Sequence, residues 1–373
     1  MRMGAYILTG ESKMLKLYFE KGKVILLLLL SAVMVWLCIR YSAACYRGIE
    51  NGIGFCLSVL VPSLFLLMAV SSMIVRSGVA QRLCSWLTPL TKRVFGMSGA
   101  CLSPLLLGMI GGYPVGARVT AAMHERGDLS DAEAEASAYM AVAAGPGFVV
   151  NYIGSALLNA RGAGVILLIA ETAATLATAV IVGQRMKPTS IDDRRTRSQR
   201  SHNLLVDAVS DASKATFSMC GMVVIFSAAI EVMGELIGSG DIADVLSAVM
   251  EITTGCNRLC GRYPIWIIAF FVGFGGLSVH FQIYAMLGEI RVKKPLFFLY
   301  RIISGIIAAI LTYILVSIFP QSIAVFSTVG EPVQAGVSAT IWGSVALVVA
   351  SACFLMSITG GRYVRDSRVV QHR

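Results

Sequence analysis

The stretch LLLGMIGGYPVGARVTAAM, residues 105–123, is an apolar run interrupted by three glycines and a proline within six positions. Pro114 lacks a backbone donor and clashes with the preceding helical turn, while Gly111, Gly112 and Gly116 allow conformations and close contacts that larger residues resist. At membrane depth, irregular backbone is tolerated only where protein or water satisfies its polar groups. The stretch therefore predicts a broken helix that borders a cavity inside a membrane.

The composition is that of an integral membrane protein. Of the 373 residues, 56% are hydrophobic and only 14% are charged, with a mean hydropathy of +0.75. A spanning helix needs roughly 20 apolar residues. The windows that approach or reach this length are 24–37, 55–75, 162–183, 296–319 and 336–358. The first follows a 23-residue leader without a convincing cleavage site, so we expect a retained helix rather than a signal peptide.

The net charge of +10 comes from basic residues grouped beside the apolar windows. They cluster in a leader (1–23), a linker (184–203) and a tail (360–373), and the linker separates a first membrane half (24–183) from a second (204–359). Cytoplasmic loops of membrane proteins carry such an excess of lysine and arginine. We therefore expect the leader, linker and tail to be cytoplasmic, and the lipid bilayer rather than nucleic acid to be the partner.

Two interrupted segments recur in the two halves. A shift of 164 residues places GGYPVG (111–116) on GGLSVH (275–280), and SWLTPLTKRVFG (85–96) on VMEITTGCNRLC (249–260). Paired interruptions of this kind are typical of transporters built from internal repeats. We expect an all-α, polytopic membrane protein with inverted repeats, broken helices and re-entrant hairpins.

The basic clusters also predict how the chain crosses the membrane. With the leader inside, the expected crossings run alternately outward and inward at 24–45, 55–76, 101–123, 163–183, 217–237, 263–287, 296–319 and 338–358. The count requires that 139–158, which contains AAGPGF, enter and leave the membrane on one side. A full crossing by 139–158 would put one basic cluster on the wrong side.

The first break predicts a site for an anion. The helix that starts near Pro114 presents free amides and a positive dipole end towards the break, and Arg118 adds a full charge one turn later. An intramembrane arginine pairs well with a ligand carboxylate or phosphate. The alternative is that Arg118 lies near an interface and snorkels. Tyr113 is available for stacking on a flat ligand.

The matching break supplies further polar residues. Gly275 and Gly276 open the backbone, and Ser278, His280 and Gln282 follow at alternate positions. On a helix, Ser278 and Gln282 share a face that His280 does not. His280 lies in strongly apolar surroundings, so we expect it either to serve a ligand or a proton, or to bond a neighbouring carbonyl in helix packing.

Another polar group surrounds Glu251 in MEITTGCNR. The segment supplies hydroxyls, an amide and a flexible backbone from Thr253, Thr254, Gly255 and Asn257. Such a mixture suits a re-entrant tip that holds a polar ligand. Glu251 could instead be the internal counter-ion of Arg118, which would leave neither free for substrate. Glu171 is a second candidate counter-ion, whereas Arg301 lies near enough to a helix start to snorkel.

AAGPGF (143–148), followed by Asn151 and Tyr152, is a fourth interruption. Upstream of it, Ser130 followed by Glu133 predicts a capping box at a helix start. The acidic residues there are better explained as helix caps than as catalysts.

The motifs GGYPVGAR, AGPGF, EITTG and FGGLSVHFQ, in this order, resemble the YlbJ-type sporulation integral membrane proteins (spore stage V, dipicolinate transport). These belong to a wider group with nucleoside-recognition or Gate domains, similar to the core of concentrative nucleoside transporters. The resemblance covers roughly 52–315. Where such proteins often have asparagines before GP, this chain has Ala143 and Ala144.

The resemblance implies a protein of endospore-forming bacteria in the outer forespore membrane, or otherwise in the cell membrane, that moves dipicolinic acid from mother cell towards forespore. Dipicolinate is a planar pyridine with two carboxylates, a small anionic substrate that the helix starts, Arg118 and His280 could bind. A carrier of nucleosides or other metabolites, which would depend on Glu251 and Asn257, and a non-transporting scaffold for spore assembly remain open.

No catalytic pattern stands out. There is no Ser-His-Asp order or phosphate loop, and Cys256 and Cys260 lack the further ligands of a metal site. We therefore predict neither an enzyme nor a bound cofactor or metal; a remaining enzymatic alternative would need His280 and Glu251 within hydrogen-bond reach. The sequence leaves the coupling ion, the direction of transport and the oligomeric state, a homo-oligomer included, open.

Overall fold

The computed structural model describes residues 25–26, 28–79, 84, 87–186 and 203–319, and the regular structure of this part of the chain is entirely helical. The α-helices are α1 Leu28–Arg40, α2 Ser42–Phe55, α3 Val61–Arg76, α4 Thr88–Val94, α5 Leu102–Gly111, α6 Tyr113–Glu125, α7 Asp131–Met140, α8 Arg161–Met186, α9 Leu204–Ile237, α10 Asp241–Met250, α11 Ile252–Leu259, α12 Ile265–Phe274, α13 Gly276–Leu287 and α14 Lys294–Ile318. Two π-helical stretches, Cys56–Leu60 and Gly147–Leu157, complete the main elements. The predicted leader and tail, the crossing at 338–358 and most of the linker lie outside the described residues.

Several helices have the length and composition of membrane spans. They are α8, α9, the segment Ile265–Leu287 formed by α12 and α13, and α14. The first apolar helix and its neighbour, Leu28–Arg40 and Ser42–Leu60, meet the same test together but are bent by 95°. These helices confirm the prediction of an all-α, polytopic membrane protein. The capping box at the start of α7 is also present, with the Ser130 hydroxyl and the Glu133 carboxylate each bonding the other's backbone amide.

The long helix α9 packs antiparallel to a helical run that extends without a break from Ser42 to Arg76. Glycines allow the close contact: a Cβ atom at Gly48 would lie 2.5 Å from Ala228 Cα. The two helices predicted at 24–45 and 55–76 therefore have a different boundary: the 95° bend at Tyr41 separates α1 from this run, and residues 46–54, which were predicted to lie between the two helices, are helical. Arg47 in this stretch donates to Glu235 of α9 at 2.7 Å.

Helix boundaries repeat between the halves at nearly the predicted offset. The helices α4, α5 and α6 start at residues 88, 102 and 113, and α11, α12 and α13 start at residues 252, 265 and 276. The Cys56 thiol lies 3.7 Å from the carbonyl oxygen of Cys220, which is its counterpart 164 residues later. A residue that touches its own counterpart lies beside the axis that relates the halves. Residues 42–76 of the first half correspond, at an offset of 164, to α9 of the second half, and the two run antiparallel, as equivalent helices of an inverted repeat do.

The first break reverses the chain. Gly112 has φ 92°, a conformation that favours glycine, and a Cβ atom at Gly108 would lie 3.1 Å from Gly116 Cα. Residues eight apart in a straight helix would be about 12 Å apart. The predicted single crossing by 101–123 is therefore wrong, because α5 and α6 fold back on each other.

Replacement of Gly48 by alanine should separate α2 from α9. The added methyl group meets the backbone of α9 without room to relax, so we expect the free energy of unfolding to fall by about 1–3 kcal/mol. The control is Gly54→Ala on the same helix, where nothing lies within 4 Å of the added carbon. Thermal unfolding of the purified variants in detergent would measure both, and an equal loss in Gly54→Ala would contradict the packing argument.

Candidate functional site

The helix breaks of the two halves meet at one cavity. It has about 510 Å³ of empty space, including its open mouth. The sequence-predicted residues that line it are Gly112, Tyr113, Pro114, Glu251, Thr253 and Gln282. Gly112, Tyr113 and Pro114 lie at the start of α6, Glu251 and Thr253 lie at the start of α11, and Gln282 lies in the middle of α13. The structure therefore brings together residues from three interrupted segments that are far apart in the chain.

The fourth interruption closes against the first. Gly145 lines the cavity, and a Cβ atom there would lie 3.2 Å from the amide nitrogen and the Cα atom of Gly112. Phe148 extends the lining beyond this contact, and its ring stacks on that of Tyr152. The predicted residue Asn151 points elsewhere and is exposed. Backbone rather than polar side chains therefore forms the wall that AAGPGF contributes.

Tyr113 connects the cavity to the second half. Its hydroxyl donates to the carbonyl oxygen of Val272 at 2.5 Å, and its ring lies 3.6 Å from the position of a Cβ atom at Gly275. The side chain is 7% exposed. Gly275 and Gly276 both have positive φ, 89° and 71°, as a break at this point requires.

Glu251 is a helix cap within the cavity wall. Its carboxylate accepts from the amides of Thr253 at 2.9 Å and Thr254 at 2.7 Å, at the start of α11. The alternative in which it balances Arg118 is therefore wrong, because the helix start already balances its charge. Gly255 packs on Ala248, where a Cβ atom would come within 2.2 Å of the backbone.

The polar residues of α13 have separate partners. Gln282 donates to Ser278 at 3.0 Å, which places them on one face as predicted. The Nδ1 atom of His280 bonds to the carbonyl oxygen of Gly276 at 2.6 Å, and its ring packs against Phe274 and Phe297. Of the two alternatives for His280, the structure shows helix packing. Neither His280 nor Glu251 bonds to the other, and Asn257 is exposed outside the cavity lining.

Arg118 lies away from the cavity lining and has an internal partner. Its Nη2 atom lies 3.0 Å from a carboxylate oxygen of Asp211 on α9. The other oxygen of Asp211 accepts from Arg76 at 2.6 Å and from Ser72 at 3.0 Å. Sequence reasoning missed Asp211, and the signal for it was an acidic pair one turn apart, Asp207 and Asp211, at the start of an apolar helix.

Two predicted glycines serve packing rather than binding. A Cβ atom at Gly116 would lie 1.9 Å from the carbonyl oxygen of Ala141, and one at Gly111 would meet the side chain of Val115. Gly111 therefore keeps the turn between α5 and α6 tight, and Gly116 lets α6 pack on the break after α7. In the described part of the chain, no group of three or more His, Cys, Asp or Glu side chains is placed to hold a metal ion.

The position of Arg301 differs most from what the sequence predicts. It does not snorkel: it is 2% exposed, and its guanidinium donates to the carbonyl oxygens of Val142 at 2.7 Å, Phe274 at 3.4 Å and Gly273. Those carbonyls belong to the end of α12 and to the break after α7. Arg301 therefore satisfies backbone acceptors that two helix breaks leave without helical partners.

Residues 57–183 match the family model Gate, described as nucleoside recognition. Over 326 residues the chain is 23% identical to the sporulation integral membrane protein YlbJ of Bacillus subtilis (strain 168). The matched region covers 74% of this chain and 79% of the relative. The chain is related to the YlbJ-type sporulation membrane proteins, as its motifs predicted. No solved structure matches. The Gate region of the chain contains the α5–α6 hairpin and the AAGPGF wall of the cavity.

Loss of the Arg301 guanidinium should destabilise the whole domain. We expect Arg301→Met to lower the free energy of unfolding by about 3 kcal/mol or more, because several buried carbonyls lose their donor. Arg301→Lys should recover only part, since an ammonium group cannot reach the carbonyls as a planar fork. The control is Arg47→Met, which removes a half-exposed ion pair and should cost about 1 kcal/mol or less. Equal losses in the two methionine variants, measured by thermal unfolding, would contradict this role.

Proposed function

We propose that the protein carries a small planar metabolite, with dipicolinic acid as the leading candidate, across the membrane through the cavity at the helix breaks. The observation that carries the proposal is the convergence of two helix starts, those of α6 and α11, and the AAGPGF break on one cavity inside a polytopic membrane protein. The start of α6 has no side-chain cap, so its amides and positive dipole end suit a ligand carboxylate, whereas the start of α11 is already capped by Glu251. Transporters of several folds bind their substrates at such discontinuous helices.

The aromatic lining of the cavity supports a flat ligand. Tyr113 and Phe148 supply aromatic rings to the lining, beside the backbone of Gly112 and Gly145. The relative's name links this type of protein to sporulation, and the motif resemblance implies the outer forespore membrane and movement towards the forespore. We include this location, direction and substrate in the proposal.

A second candidate substrate is a nucleoside. The described lining of the cavity contains Glu251, Thr253 and Gln282 but no basic side chain, which favours a neutral polar ligand. The description of the Gate family points the same way. Asn257 has no place in this alternative because it lies outside the lining, so the nucleoside would depend on Glu251 and Gln282.

Uptake into proteoliposomes decides between these candidates. The purified full chain should take up labelled dipicolinate with saturable kinetics, and excess unlabelled uridine should compete weakly. Strong competition by uridine, or saturable uptake of uridine alone, would transfer the assignment to a nucleoside. Absence of uptake of both by folded protein, under pH gradients of either sign, would favour the scaffold alternative.

A variant that fills the cavity provides the structural test. Val279→Phe places a larger side chain in the lining, and we expect the uptake rate to fall at least tenfold. Because Val279 is buried, we also expect the free energy of unfolding to fall by about 1–3 kcal/mol. The matched control is Val245→Phe on α10, where the side chain is 38% exposed. Unchanged uptake in folded Val279→Phe would exclude this cavity as the path.

Arg118 should affect stability rather than substrate affinity. Because it pairs with Asp211, we expect Arg118→Ala and Asp211→Ala to be coupled by roughly 1 kcal/mol in a double-mutant cycle of unfolding free energies. The substrate concentration at half-maximal uptake should stay within about twofold of the native value, since Arg118 lies outside the lining. A tenfold increase in that concentration at unchanged stability would instead place Arg118 at the substrate.

A further inference from the structure

Glu171 is a buried carboxyl group whose role the cavity does not explain. It lies near the middle of α8, is 1% exposed, and neither of its oxygens has a hydrogen-bond partner in the described structure. Two hydroxyls on the same pair of helices, α8 and α14, are also buried without hydrogen-bond partners: Thr175, one turn further along α8, and Ser304 on α14. Burial of an ionised carboxylate without donors is very costly, whereas burial of the neutral acid is much less so.

The surroundings of Glu171 place it where three helices touch. A Cβ atom at Gly273 of α12 would lie 3.2 Å from Glu171 Oε1 and 2.7 Å from the Cα atom of Gly305 on α14. Arg301 of α14, Tyr113 of α6 and Cys256 of α11 are the described ionisable groups that interact with it. Arg301 forms no ion pair with Glu171, because its guanidinium is bonded to the carbonyls of Gly273, Val142 and Phe274.

A short path of neighbouring groups connects Glu171 to the cavity. Glu171 Oε1 lies 3.2 Å from the position of a Cβ atom at Gly273, and the preceding residue, Val272, accepts the hydrogen bond from Tyr113. Tyr113 lines the cavity, and the break at Gly275 lies two residues after Gly273. A change in the charge of Glu171 would therefore act on the helix segment that holds one wall of the cavity.

We propose that Glu171 is the proton-binding group of this protein: it is neutral when α8, α12 and α14 pack as in this structure, and it releases its proton when they separate. The coupling role rests on the proposed transport function. A cavity without a described basic side chain would carry an acidic metabolite more easily if protons travel with it. Proton uptake and release at Glu171, through this path, would link the proton gradient to movement of the cavity wall.

The protonation state has a test that needs no transport. The full chain in lipid at pH 7 should show the infrared C=O stretch of a protonated carboxyl group, and that band should disappear in Glu171→Gln. The matched control is Glu133→Gln. Glu133 is similarly buried, at 2% exposed, but its carboxylate oxygens accept hydrogen bonds from the Ser98 hydroxyl at 2.5 Å and from the Ser130 amide at 3.1 Å. A native protein without the band, or a band that Glu171→Gln retains, overturns the proposal. Failure of Glu171→Gln to fold also overturns it, since a neutral amide of the same shape should replace a neutral acid.

The coupling role is tested in proteoliposomes with the same variants. A gradient of one pH unit can drive about tenfold accumulation for each proton carried. We expect the native chain and Glu133→Gln to accumulate dipicolinate on an inward proton gradient, and Glu171→Gln to equilibrate it without accumulation. Accumulation retained in Glu171→Gln overturns the role, as does accumulation that follows a sodium gradient instead. If the native chain moves no substrate, the proposed function and this role fail together, while the infrared result still decides the protonation of Glu171.

Discussion

The bonds from the Arg301 guanidinium to the carbonyls of Val142, Gly273 and Phe274 make the rest of the architecture possible. A helix that stops inside a membrane domain exposes carbonyls that neither lipid nor its own next turn can satisfy. One planar cation satisfies such groups at two breaks simultaneously. Without it, neither the loop after α7 nor the kink between α12 and α13 could lie at the cavity without a large desolvation cost.

Glycine supplies the second condition, which is close approach of backbone to backbone. Gly112 against Gly145 and Gly273 against Gly305 are places where even one methyl group meets main-chain atoms. Such contacts leave little room for independent adjustment, because packed interiors respond to volume changes of a single methylene. The cavity is thus bounded by segments whose positions depend on one another, although they come from both halves of the chain.

Much of this organisation can be predicted from the sequence. Composition identifies a membrane protein, the offset of 164 residues matches the helix starts to within a residue, and the motifs at Gly112, Gly145 and Glu251 do meet at one cavity. These features follow from local chemistry: proline and glycine break helices wherever they occur, and a basic loop marks one side of a membrane.

The errors concern angles and distant partners. A glycine shows that a helix is interrupted at Gly112, but the angle of the turn depends on Gly108 and Gly116 fitting together. Likewise, hydropathy cannot show that Arg118 meets Asp211, or that Arg301 lies inside rather than at the lipid surface. Such pairings depend on which helices become neighbours, and no local pattern records that.

The contact between Cys56 and Cys220 has a wider meaning. Two halves that meet through counterpart residues are arranged like the subunits of a symmetric dimer joined by a peptide linker, with one surface serving as both partners. In such an arrangement, a substitution on one side of the axis also alters the environment of its counterpart.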